Sequence, residues 1–348
     1  MPVSKFLPRT LTLAFAGLLG CTTALVASQA TAQDQVAPTP LFQDGRFFPG
    51  FGNEGFIVTR YTVKADGTTD NIEIVGGFTN DFYERTIKEV VSKWTFQPGT
   101  VNGTAVDFLN QEYIFRIKIT EDLASTPDFQ KEYTELAALY DAGEYEDAKK
   151  AMRGMLRQHV HTVLDYAVTE QMLSSIEMKL GDPYAALAAI KLTTLNSVNA
   201  AGEPEYMLLP NLLEAAMRQQ LVLGASLHQE GEVTRTWEVL NAIFEIPADD
   251  PLRGLVATAQ EKIDSPDPLP ALAKIIDQQL TYQPVHRIFT VADISGELES
   301  ITAHCEHRNL ELEYMPDVDW TLPASLGKCS LDFAGDDGTT FTIYEFKE

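Results

Sequence analysis

The chain has 348 residues, more than one ordinary core holds, and its 45% hydrophobic content excludes a disordered chain. Its net charge is −24, with −14 of it on residues 121–283 and −9 on residues 284–348. Such a surface repels phosphate backbones and anionic headgroups, which argues against nucleic acid as a partner and leaves solubility, or a basic partner, as its use.

At the N-terminus Lys5 and Arg9 precede an apolar run from Leu11 to Ala27, and Ala30-Thr31-Ala32 forms a small-residue cleavage site before Gln33. This is the layout of a secretory signal peptide over residues 1–32, and it predicts an exported chain. Two alternatives stay open. Leu18-Leu19-Gly20-Cys21 loosely resembles a lipoprotein box, and the run is near the lower limit of about 17 residues for a retained membrane anchor. No later stretch is long and apolar enough to cross a bilayer, so the mature chain is expected to have no transmembrane span. Residues 33–53, punctuated by Pro and Gly, read as a linker that reaches about 70 Å at most.

Residues 54–120 read as strand, turn, strand, helix, strand. Phe56 to Val63 is rich in aromatic and β-branched residues, Asp66-Gly67 is a turn signal, and Ile72, Ile74 and Gly76 alternate with polar neighbours. Asn80 and Asp81 offer a helix cap, and Ile87, Val90, Val91 and Trp94 share one helical face. Glu112 to Ile119 alternates as a final strand. In the resulting ββαβ unit Trp94 and Phe96 plug the helix base against the sheet, Pro98 stops the helix and Gly103 turns the chain back.

The block Trp94-Thr95-Phe96-Gln97-Pro98, with the turn residue Gly103, resembles the W-x-F-x-P signature of the TonB C-terminal domain family. Asp66-Gly67, Gly76-Gly77 and Phe115-Arg116-Ile117 support the likeness, which covers residues 55–119. The resemblance implies a non-enzymatic periplasmic module that binds an extended peptide by adding a strand to its sheet. By position, Tyr113, Ile114, Phe115, Arg116 and Ile117 on the last strand are the peptide-binding edge to test; the rival reading is that they only pack the module. The family's energy transducers also need a retained membrane helix and a long Pro-rich arm, and neither is expected here.

Residues 128–283 are expected to be helical, with a stripe of Tyr133, Leu136, Ala137 and Tyr140 and comparable stripes as far as Ile276. Gly143, Gly181 and Gly231 are each followed five residues later by a small residue, Ala148, Ala186 and Thr236. A glycine turn and a close helix approach give this pattern, which resembles degenerate tetratricopeptide repeats; an ordinary helical bundle is the alternative. From Pro284 to the end the chain reads as short strands, with Gly335-Asp336-Asp337-Gly338 as a hairpin turn between the last two.

Cys305 and Cys329 are expected to pair as a disulfide in an oxidising compartment. Zinc ligation by His304, Cys305, Glu306, His307 and Cys329 is the rival, and two free thiols the third reading. His159 and His161 point in different directions on a helix and read as surface residues. Asp317, Asp319, Asp336 and Asp337 lack a calcium loop with its terminal Glu. No nucleophile elbow, H-E-x-x-H, P-loop or dinucleotide fingerprint is present.

The sequence thus predicts an α+β multidomain chain: a ββαβ TonB C-terminal-like domain over 54–120, a central α-helical array over 128–283 and a small β-rich domain over 284–348. Its expected function is non-enzymatic, cofactor-free binding of a protein or extended peptide in the cell envelope, associated with transport. The alternatives are a periplasmic enzyme, metal-dependent or hydrolytic, with its site in the C-terminal region, and a membrane-anchored accessory of a TonB-type transport system.

Overall fold

Where each element forms follows from which backbone and apolar groups must be covered. A computed structural model describes residues 34–43, 54–78, 81–117, 123–198, 203–315 and 318–348. The leader, Cys21 and Asn80 lie outside them. Two short strands, β1 (Gln35–Val36) and β2 (Thr39–Phe42), precede β3 (Gly55–Val63), β4 (Thr69–Phe78), α1 (Asp81–Val91), β5 (Thr95–Gln97), β6 (Thr100–Val101), β7 (Thr104–Ala105) and β8 (Phe108–Ile117). An antiparallel sheet of order β4-β3-β8 carries α1 on one face, where Ile57, Tyr61 and Val63 share a core with Ile87 and Val91. On the other face Phe56 joins the core of the helices that follow.

Two expectations for this region are corrected. Part of the linker is strand: β1 pairs with β6 and β2 with β5, filling backbone edges that those short strands leave open. The helix ends at Val91, so Trp94 lies beyond it and Pro98 follows β5 instead of stopping α1. Thr95–Gln97 is drawn out straight because Phe96 donates its N–H to Gly67 O at 2.8 Å while β5 pairs with β2.

The next segment holds α2 (Pro127–Asp141), α3 (Tyr145–Gln158), α4 (Val163–Leu180), α5 (Pro183–Thr193), a small hairpin of β9 (Asn196–Val198) and β10 (Pro204–Tyr206), then α6 (Pro210–Ser226), α7 (Glu230–Ile243) and α8 (Leu252–Asp264). Proline opens α2, α5 and α6, where no intrahelical N–H is lost. Thr126, Thr162 and Asp182 cap α2, α4 and α5 with side-chain oxygens. Gly143 and Gly181 hold the left-handed turns after α2 and α4, at φ +81° and +82°, and the buried Ala148 and Ala186 follow them. Gly231 is different. It lies inside α7, and the left-handed residue of that turn is His228 at φ 55°. A Cβ at Gly231 would come within 2.6 Å of Val285 Cγ1, so close packing, and not turning, requires a glycine there. No helix among the described residues is long and apolar enough to cross a membrane.

The helical pattern expected to reach Ile276 stops at Asp264. β11 (Leu269–Lys274) and β12 (Gln279–Tyr282) come next, followed by β13 (Ile288–Ser295), β14 (Leu298–Cys305), β15 (Asn309–Leu312), β16 (Trp320–Thr321), β17 (Cys329–Gly335) and β18 (Thr340–Phe346). They make two antiparallel sheets, β11-β18-β13-β16 and β12-β17-β14-β15, whose inner faces meet in one core with Phe333 and Phe341 rings 4.9 Å apart. β11 belongs here because Leu269, Ala271 and Ala273 alternate inward. The turn at Gly335–Gly338 exists, but it does not make a hairpin: β17 and β18 lie in opposite sheets, and the turn carries the chain across the sandwich. Asp34–Glu348 forms one compact unit.

Candidate recognition site

The first module is built around one indole. Trp94, 1% exposed, stacks on Phe115 at 5.4 Å and takes the ring edges of Tyr113 and Tyr61 at 5.0 and 5.6 Å. Phe96 is buried 6.1 Å from Tyr61. Asn102 and Gly103, at φ 51° and 76°, form the two-residue turn between β6 and β7.

β8, at one edge of the sheet, carries all five sequence-predicted peptide-binding residues. Phe115 and Ile117 point into the Trp94 core and are fully buried, while Ile114 packs on the helical core from the other face. Arg116 Nη1 donates to Tyr206 O at 3.1 Å, and Tyr113 Oη to Val198 O at 3.5 Å. The β9–β10 hairpin therefore lies against this strand. Burial pulls the Arg116 guanidinium below its usual range, against the opposing charges of Glu205 and Glu54. On the same strand Glu112 is exposed.

Beyond Glu112 the sheet face opens into a cleft of about 740 Å³. Arg60 and Glu112 come from the module, Lys191 and Glu232 from α5 and α7, and His304 and Asp332 from the sandwich. A second cavity of about 650 Å³ borders it, with Glu112, Arg235, Gln283 and His304 as common lining residues. A chain of charges crosses the cleft: Arg60 lies 3.1 Å from Glu112 and 3.7 Å from Asp332, and His304 Nε2 lies 3.1 Å from Asp332 Oδ2. Burial raises the Asp332 carboxyl, but hydrogen bonds from His304 and Thr281 and the charges of His304 and Arg60 outweigh it and hold it below the usual range. No Phe, Tyr or Trp is among the described residues that line either cavity. The walls mix charges, carboxamides and hydroxyls with the apolar side chains of Val58, Ile74, Val75, Leu195, Met217 and Val239.

Cys305 and Cys329, register partners on β14 and β17, are joined by a disulfide. The other members of the zinc alternative splay apart: His304 turns to Asp332, Glu306 accepts from the Lys328 N–H at 3.0 Å, and His307 meets the Phe108 ring at 4.7 Å. Among the described residues no group of three or more His, Cys, Asp or Glu is placed to hold a metal ion. His159 and His161 are exposed. Asp337 Oδ1 accepts from the Asp277 N–H at 2.9 Å, a turn contact, and Asp317 lies outside the described residues.

The sequence reading missed the acids of α4. Asp165, Glu170 and Glu177 are 0%, 8% and 1% exposed. A partial signal was present: apolar residues are spread around α4 and not gathered on one face, so some of its acids fall where the helix packs against its neighbours.

Residues 51–117 match the family of Gram-negative bacterial TonB protein C-terminal domains. Among solved structures the chain is similar to the solution NMR structure of the Pseudomonas aeruginosa TonB C-terminal domain, at 24% identity over 24% of this chain and 89% of that chain, with a TM-score of 0.20. No curated protein matches this chain.

Proposed function

We propose that this is an exported, non-enzymatic recognition protein of the periplasm that holds an extended segment of an envelope protein, in association with transport. The observation that carries the reading is the match of residues 51–117 to the TonB C-terminal family, whose members are interaction modules. The peptide-binding edge in this reading is Tyr113 to Ile117 on β8, where an edge strand supplies backbone donors and acceptors. The β9–β10 hairpin against that strand has to shift for a full ladder to form. Helices α2–α8 act as a degenerate tetratricopeptide-like array, with the disulfide-stapled sandwich as a third part. The signal peptide of residues 1–32 directs export, and the surplus negative charge repels nucleic acid and favours a basic or neutral partner.

Osmotic-shock fractionation combined with chemical crosslinking and mass spectrometry in living cells tests this. The expected result is a processed chain in the shock fluid, crosslinked through the module to one envelope protein. Recovery in the cytoplasm, or crosslinks to no envelope protein, would overturn it.

A further inference from the structure

A further cavity of about 390 Å³, which shares Lys191, Gln279 and Thr281 with the wall of the cleft, lies between α3, α4, α5 and β12. Its lining includes Leu156, Leu173, Leu187, Leu192 and Leu280, and it is within the size range of small-molecule sites. Glu170 of α4 also lines it, 8% exposed. Burial raises the Glu170 carboxyl to about 7, against the hydrogen bond from Tyr166 and the charge of Arg153, with Asp277 adding to the rise.

The cations of the lining are already engaged: Lys274 with Asp182, Arg153 with Glu177 at 3.6 Å, and Lys191 with Glu232 at 3.3 Å. Among the described residues Glu170 forms no ion pair, and its neighbour is the neutral hydroxyl of Tyr166. A buried carboxyl lining a largely apolar space, with the nearby Arg153 paired to Glu177 and not to it, is complementary to a cation carried on an apolar body. A carboxylate ligand meets the opposite condition, because Glu170 and Asp277 face the same space while the cations of the lining are held in ion pairs.

We infer that this cavity binds a small amphiphilic amine, with its apolar body against the leucines and its ammonium beside Glu170. This goes beyond the protein-recognition reading and does not depend on it. The test is a fluorescence titration of the full exported chain with three dansyl probes of equal tether length, ending in a primary amine, a carboxylate or a methyl group. The amine probe is expected to bind about tenfold more tightly than the carboxylate probe. Glu170→Gln should abolish that preference while methyl-probe binding persists. Ala188→Trp, at an exposed position of the rim, should weaken all three probes with circular dichroism unchanged. Equal affinity of wild type for amine and carboxylate, no binding of any probe, or indifference to Ala188→Trp would each overturn the assignment.

Discussion

Around Trp94 the first module packs ring upon ring, and aromatic and aliphatic side chains share its core, with Thr59 and Thr62 as buried polar side chains of β3. One helix face further on, α4 carries Asp165, Glu170 and Glu177 into the interior among leucines and alanines. Glu177 is met there by Lys149 at 2.9 Å, and Asp165 by the Ser125 hydroxyl at 2.6 Å, whereas Glu170 has the Tyr166 hydroxyl and the charge of Arg153, itself paired with Glu177. The difference separates two kinds of stability. The Trp94 core rests on apolar burial and shape, which carry little pH dependence between mild acid and mild alkali. The helices rest partly on the ionisation state of buried acids.

The largest expected effect breaks the module. Trp94→Ala removes the ring against which Phe115, Tyr113 and Tyr61 pack, and should cost about 3–5 kcal/mol in urea unfolding, equally in acid and in mild alkali. A loss that depended on pH would contradict the comparison. Next comes the covalent link of the sandwich. Its 24-residue separation implies about 3 kcal/mol lost in the Cys305→Ser, Cys329→Ser double variant, readable as a lower thermal midpoint under nonreducing conditions.

Glu170→Gln sharpens the contrast through its sign. The folded carboxyl titrates near 7 against an ordinary 4.5, so between those values the native state keeps a proton that the unfolded chain has released. That contribution is fully present below the unfolded value and is lost as pH rises to the folded one. Glu170→Gln should therefore leave stability unchanged near pH 4 and raise it by up to about 3 kcal/mol near pH 8. Paired unfolding curves at the two pH values measure it, and an equal effect at both would remove Glu170 from the account. The smallest change is Gly181→Ala. With φ +82° and nothing near its missing Cβ, it should cost about 1 kcal/mol from backbone strain alone, seen as a shifted urea midpoint.

How much was legible follows the same division. The ββαβ order could be read because ring residues and turn glycines act within a few residues of one another, whereas the end of α1 before Trp94 and the strand of Thr95–Gln97 depend on pairing with β2. The helical assignment failed at β11, where Leu-Pro-Ala-Leu-Ala-Lys fits either period and only its pairing with β18, some seventy residues later, makes it a strand. The Gly335 turn was visible, but the sheet each flanking strand joins is decided by non-local pairing. The neighbours of the β8 edge, Val198 and Tyr206, lie 85 and 90 residues from their partners, so no local pattern reports them. The cleft has the same origin, since Arg60, Glu232 and Asp332 meet only when three segments pack.

Site-specific photocrosslinking in living cells tests the recognition role most directly. A photoreactive residue replaces Glu112 on β8 in one strain and the exposed Met178 on α4 in another. Recognition by the module predicts a discrete adduct with one envelope protein from position 112 and none from position 178. Adducts from 178 alone, or from neither position, would contradict it.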